Sequence, residues 1–167
     1  MKSILRFKHW QLFILIVLTG TFVAPSPIQE IVHTVGLITM AIWLYSIVIF
    51  GQGKLKMLNI PTLKTKLFKI NVVLYPILIN IVLFLDHLYA PKQNELNVYT
   101  ILFALIVLYW FFALFHCMWL AIKTITMLEL KKEVLFSECL KNLFQFIFLI
   151  LCIWYLQPKI TRLIADN

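Results

Sequence analysis

Charged side chains are scarce in this chain. Asp, Glu, Lys and Arg make up 13% of its 167 residues, against the roughly 25% that is typical of a soluble domain. Five runs contain none of these residues, and they cover 9–29, 31–53, 70–85, 96–122 and 142–158. A bilayer core about 30 Å thick needs roughly 20 apolar helical residues, and most runs approach or exceed that length. The lack of charge therefore excludes an ordinary soluble domain and predicts a membrane protein.

Glycine is also rare, with four in the whole chain. A backbone loop that cradles phosphate is hard to build from so few glycines. The sequence contains no Gly-x-Ser-x-Gly, no His-Glu-x-x-His and no Gly-rich nucleotide loop, which are the signatures of several large enzyme classes. We therefore expect no catalytic residue, no metal site and no cofactor. A lipid-modifying membrane enzyme is the weakest alternative, because no spacing forces two acids or two histidines together.

Cysteine occurs three times, at Cys117, Cys139 and Cys152. No Cys-x-x-Cys pair and no Cys/His spacing of a zinc site is present. Cysteines inside apolar runs or on the cytoplasmic side rarely form lasting disulfides. We interpret all three as small, buried hydrophobic side chains.

Acidic residues are few, seven against 15 Lys and Arg, which gives a formal charge of +8. Such an excess can indicate nucleic-acid binding, but here it follows the connections between the runs. Twelve basic residues precede the first run or follow the second and fourth: Lys2, Arg6, Lys8, Lys54, Lys56, Lys64, Lys66, Lys69, Lys123, Lys131, Lys132 and Lys141. The other two connections hold only Lys92. The positive-inside rule then places the N-terminus and the basic connections in the cytoplasm, and no nucleic-acid partner is expected.

The predicted fold is an all-α, polytopic transmembrane helical bundle that forms a single domain over residues 1–167, with a cytoplasmic N-terminus. Four helices are predicted from the runs and their flanking residues, and a fifth either spans the membrane or re-enters it. Their predicted bounds are 10–26, 31–51, 67–88, 97–132 and 142–157. Gly51 and Gly53 are expected to end the second helix, and strong helix formers extend the fourth helix past the membrane.

The fifth run leaves two readings open. Its apolar centre of 14 residues has the length at which a re-entrant segment competes with a true span. A crossing would place Lys159 and Arg162 outside, against the charge bias, whereas a segment that returns would have its break at Pro158. We favour a crossing, because local thinning of the bilayer can accommodate a short helix.

Polar residues inside the runs are the candidates for a functional lining. Asn80 lies near mid-membrane, four residues after Pro76, and His116 lies inside the fourth run. Each either makes a hydrogen bond between packed helices or lines a pore or binding site. Three further polar residues fall at the outer ends of two helices: His33, Asp86 and His87. They either form a cluster that relays protons or binds a cation, or they are interfacial residues that reach water.

Six lysines are the candidate contacts for a partner or for lipid. They are Lys54, Lys56, Lys64, Lys66, Lys131 and Lys132. Basic residues near an anionic membrane surface contribute roughly 1 kcal/mol each to binding. The membrane lipids themselves are therefore expected partners, together with a cytoplasmic or membrane protein and a second copy of the chain.

Three short stretches resemble a group of small bacterial multi-span membrane proteins that are largely uncharacterised. They cover residues 8–13 (KHWQLF), 128–134 (LELKKEV) and 153–160 (IWYLQPKI). Where we expect Pro and Gly before the Ile-Trp pair of that group, this chain has Ile150 and Cys152. The resemblance implies a helical protein of the bacterial inner (plasma) membrane and carries over no catalytic residue.

The functional hypothesis favoured by the sequence is a non-enzymatic accessory or regulatory membrane protein. Its basic cytoplasmic face would dock a partner or anionic lipid. The alternative is an oligomeric pore or small transporter, by analogy with defence and toxin effectors, with Asn80 and His116 along its path. Flux through liposomes distinguishes the two.

Overall fold

A computed structural model describes residues 4–5, 7–14, 28–88 and 98–165 of the chain, and every regular element in those ranges is helical. This confirms the all-α class for the described part of the chain. The six helices are α1 (His9–Phe13), α2 (Ile28–Met57), α3 (Lys66–Leu88), α4 (Val98–Leu130), α5 (Phe136–Ile147) and α6 (Leu149–Ile160), followed by a π-helical turn over Thr161–Ala165.

Helices α2, α3 and α4 are each long and apolar enough to cross a membrane. Thr34, near the start of α2, bonds to Asn80 in the second half of α3, so these two helices are antiparallel. Gln52 and Thr124 bond near the ends of α2 and α4, which therefore run in parallel. The three helices form an up-down-up bundle whose outer faces are rich in exposed apolar side chains, as expected for surfaces in contact with lipid.

The bounds of α3 and α4 lie within two residues of the predicted 67–88 and 97–132. Helix α2, in contrast, continues through Gly51 and Gly53 to Met57. A Cβ atom added at Gly51 would collide with the Thr124 side chain of α4, whereas one added at Gly53 would meet nothing within 4 Å. Gly51 therefore serves close packing of α2 on α4, and the prediction that glycine ends this helix is wrong.

Two short helices replace the single helix predicted over 142–157. The chain breaks at Phe148 (φ −94°, ψ 38°), and α6 continues through Pro158, so the proline is not the break. The Lys159 ammonium donates to the Asn142 amide oxygen at 2.9 Å. Seventeen residues of straight helix would separate these positions by about 25 Å, so the segment folds back on itself and is not the single straight helix that was predicted.

The first predicted helix, 10–26, is described only over α1, and its remainder lies outside the described residues. Helix α1 packs against α6: the rings of Phe13 and Trp154 are 4.6 Å apart. The Gln157 side-chain amide donates to the carbonyls of Leu5 and Phe7, both at 3.0 Å. The segment before α1 is therefore fixed to the end of α6.

Candidate functional site

One end of the bundle carries most of the positive charge, and we name it the lysine-rich end. It contains the C-terminal ends of α2 and α4, the start of α3, and the region where Asn142 meets Lys159. Among the six lysines that were predicted to contact a partner or lipid, Lys54 is partly buried and the others are exposed: Lys56, Lys64, Lys66, Lys131 and Lys132. The fold therefore gathers side chains from two separate connections, after α2 and after α4, onto one surface.

Among the five exposed lysines, Lys132 has an acidic partner within the described residues. Within the described residues, the ion pairs join Lys132 to Glu138 and Lys159 to Glu129. The hydrogen bond from Lys132 lowers the pKa of the Glu138 carboxyl from its usual value. The remaining exposed lysines lie at the protein surface, where an anion gains from their summed potential.

Lys159 forms the centre of a buried network at this end. Its side chain is 5% exposed, and its ammonium lies 2.7 Å from a Glu129 carboxylate oxygen and donates to Asn142. The Asn142 amide nitrogen donates to Thr126 at 2.8 Å and to Glu129 at 3.3 Å. The network joins the end of α6 to α5 and to the last turns of α4. No pattern in the sequence signals that Glu129 and Lys159 would be partners.

Asn80 lies on the wall of an open cleft between α2 and α3. Thr34 donates to the Asn80 side-chain oxygen at 2.7 Å, and the Asn80 amide donates to the Pro76 carbonyl at 2.7 Å. The cleft has a volume of about 420 Å³ and is otherwise lined by apolar atoms of Ile38, Ile77 and Ile81. Both polar side chains therefore already have hydrogen-bond partners within the bundle, and the cleft offers a mainly hydrocarbon surface.

His116 lies in a different place, at the seam between α3 and α4. The Asn71 amide nitrogen is 3.2 Å from His116 Nδ1, and the Tyr109 hydroxyl donates to the Asn71 amide oxygen at 3.0 Å. Asn71 is fully buried. His116 does not line the cleft at Asn80, so the described fold of one chain does not bring the two predicted lining residues together.

The predicted outer cluster is only partly described. His33 is half-buried on α2, and the side chains of Asp86 and His87 lie outside the described residues. The start of α2 and the end of α3 share the end of the bundle opposite the lysine-rich end. In the part of the chain that the structure describes, no three His, Cys, Asp or Glu side chains are grouped as a metal site would need.

These features define an α-helical integral membrane protein with a strongly asymmetric charge distribution. Comparisons with known protein families, with curated proteins and with solved structures find no match for this chain. The function must therefore be argued from the lysine-rich end and from the polar seams.

Proposed function

We propose that this chain is a non-enzymatic accessory or regulatory protein of the bacterial inner membrane. Its lysine-rich end faces the cytoplasm and binds anionic lipid headgroups or an acidic surface of a protein partner. The observation that carries this proposal is the set of exposed lysines from two connections on one surface, only partly offset by acids. A positive potential of this kind attracts and orients anionic partners.

We further propose four membrane crossings with both chain ends in the cytoplasm. Helices α2, α3 and α4 provide three crossings, and the predicted helix 10–26 provides the fourth. Two facts support this arrangement: Leu5 contacts Gln157 and Thr161 beside the lysine-rich end, whereas α2 begins at the opposite end. The pair α5–α6 then re-enters the cytoplasmic leaflet without crossing, because helices of 12 residues are about 18 Å long.

Lipid binding tests the proposal directly. A variant with Lys56, Lys64, Lys66 and Lys131 changed to Gln loses the charge, and the matched variant with the same four residues changed to Arg keeps it. In nanodiscs of equal parts phosphatidylglycerol and phosphatidylcholine, we expect the Gln variant to retain less phosphatidylglycerol and the Arg variant to match the parent. Pull-down from detergent extracts tests a protein partner with the same pair. If neither binding partner depends on these lysines, the proposal fails.

A second candidate function is an oligomeric pore or small transporter. Its specific support is the cleft of about 420 Å³, which places the Thr34 and Asn80 side chains beside an opening within the span. Copies of the chain joined along this face would surround a path in which Thr34 and Asn80 are the polar groups of an otherwise apolar wall. Flux through reconstituted liposomes that changes in an Asn80→Leu variant would favour the pore, and liposomes that stay tight with the parent protein would exclude it.

A further inference from the structure

A polar group is exposed at the seam between α3 and α4, well inside a helix that is long enough to cross the membrane. His116 is partly exposed on α4, and its ring stacks on that of Phe112 with centroids 6.0 Å apart. Its outward-facing neighbours are apolar, with Phe112 51% and Phe115 58% exposed. An imidazole in such surroundings needs hydrogen-bond partners for both ring nitrogens.

Only one of the two nitrogens has a partner within the described residues. The Asn71 amide nitrogen can only donate, so His116 Nδ1 accepts this bond and the ring proton of the neutral form lies on Nε2. The Asn71 oxygen is itself occupied by the Tyr109 hydroxyl, which fixes the orientation of the amide. The bond to Asn71 fixes the orientation of the ring and therefore of its Nε2–H donor. Within the described residues, no acceptor bonds to this Nε2–H.

The surroundings of this donor change along α4 from apolar to charged. Lys123 follows His116 by seven residues, which is two helical turns, so it lies on the same face about 10 Å nearer to the lysine-rich end. Lys123 is partly exposed, and no carboxylate pairs with it within the described residues. In the other direction the same face presents exposed Phe112 and Leu105.

We propose that this face of α4 binds one anionic glycerophospholipid, a role that rests on the proposed function and gives it a specific site. The lipid phosphate pairs with the Lys123 ammonium, an ester carbonyl accepts the His116 Nε2–H, and an acyl chain lies along Phe112 and Leu105. The charge, the donor and the apolar rings occur in the order in which a phospholipid presents its phosphate, carbonyls and hydrocarbon. The lipid thereby satisfies the imidazole donor, which is costly to leave unpaired in hydrocarbon.

A matched pair of lysine variants tests the site. Lys123→Gln removes the phosphate contact, whereas Lys141→Gln removes the same charge from an exposed position on α5. In nanodiscs of equal parts phosphatidylglycerol and phosphatidylcholine, native mass spectrometry counts the lipids that remain bound. Loss of one lysine contact corresponds to about fivefold weaker binding. We expect that loss for Lys123→Gln and little change for Lys141→Gln.

A spectroscopic measurement on the unaltered protein tests His116 without any risk to folding. Solid-state NMR with ¹⁵N-histidine and carbonyl-¹³C phosphatidylglycerol should show a protonated Nε2 close to a lipid carbonyl, and the signal should be absent from a His116→Phe sample. Absence of this contact in the parent overturns the site, as does an equal contact with labelled phosphatidylcholine.

The lysine pair also separates this inference from the proposed function. Equal losses in Lys123→Gln and Lys141→Gln would mean that the lysine-rich end acts as a diffuse charge, which overturns the site and leaves the proposed function standing. If the two single variants lost lipid equally and the four-lysine Gln variant retained as much phosphatidylglycerol as the parent, the proposed lipid binding by the lysine-rich end would fail together with the site.

Discussion

At the scale of single residues, the polar side chains within this apolar chain are mostly paired with one another. Thr34 pairs with Asn80, and Gln52 pairs with Thr124. Such hydrogen bonds between membrane helices contribute on average about 0.6 kcal/mol each, so they align the helices more than they hold them together. The buried ion pair of Lys159 is different, because an ammonium left without its carboxylate at a buried position is costly.

This difference gives a prediction for Glu129→Gln. The change removes the carboxylate charge beside the Lys159 ammonium, which is 5% exposed, and leaves it with only neutral amide oxygens as partners. Because Glu129 is itself partly exposed, water offsets some of the loss, and we expect the free energy of unfolding to fall by about 1–3 kcal/mol. Unfolding of the purified protein in mixed detergent micelles measures the change.

Glu133→Gln is the control, since it removes an exposed carboxylate just beyond the same helix and should leave stability within about 0.5 kcal/mol of the parent. A double-mutant cycle with Lys159→Met should show coupling to Glu129 and none to Glu133. Equal effects of the two glutamate changes would mean that the Lys159 pair does not hold α6 to α4.

At the scale of elements, the close approach of α2 to α4 depends on one of the two glycines near the end of α2. Gly51→Ala places a methyl group against Thr124, whose hydroxyl accepts a hydrogen bond from Gln52 at 3.0 Å and so holds the side chain in place. Overpacking of this kind costs about 1–3 kcal/mol. Gly53→Ala meets open space and should stabilise the helix by roughly 0.5–1 kcal/mol.

Thermal unfolding of the two alanine variants in the same detergent measures this prediction. The midpoint should fall for Gly51→Ala and stay equal or rise for Gly53→Ala. A rise for both would show that α2 and α4 are farther apart than the structure places them, and a fall for both would show that the space around Gly53 is not open.

The long helices could be predicted from the sequence because charge-free runs with lysines at their borders define spans by length alone. The break at Phe148 could not be predicted, since neither Gly nor Pro stands there. Contacts distant in sequence fix it instead: the Phe146 ring stacks on Trp43 at 5.8 Å, and Trp43 donates to Gln157 at 3.0 Å. Trp43 of α2 thus contacts both helices of the α5–α6 hairpin.

The residues of the candidate site could be predicted from the sequence, but their contacts could not. The six lysines and their common end follow from the positive-inside pattern, and Asn80 and His116 stand out as polar residues in apolar runs. Their partners do not follow, because a run of apolar residues does not reveal which face of a helix meets which neighbour. Asn71, which binds His116, is the clearest example.

At the scale of the whole molecule, the basic connections after α2 and after α4 lie at one end of the described structure, and the α5–α6 hairpin returns to that end. The central claim of this account is that both ends of the hairpin face the same side of the membrane as the lysines of α2. Four exposed positions distinguish the alternatives: Lys56 on α2, Lys141 and Arg162 at the two ends of the hairpin, and Glu30 at the opposite end of the bundle.

Labelling with a membrane-impermeant maleimide tests this claim most directly. Single cysteines at the four positions are introduced into a chain whose native cysteines are replaced by Ala, and the reagent is applied to intact and to permeabilised spheroplasts. We predict that Cys at 56, 141 and 162 reacts only after permeabilisation, whereas Cys at 30 reacts in intact spheroplasts. Reaction at 162 but not at 141 in intact spheroplasts would show that the last segment crosses the membrane, and would contradict the account.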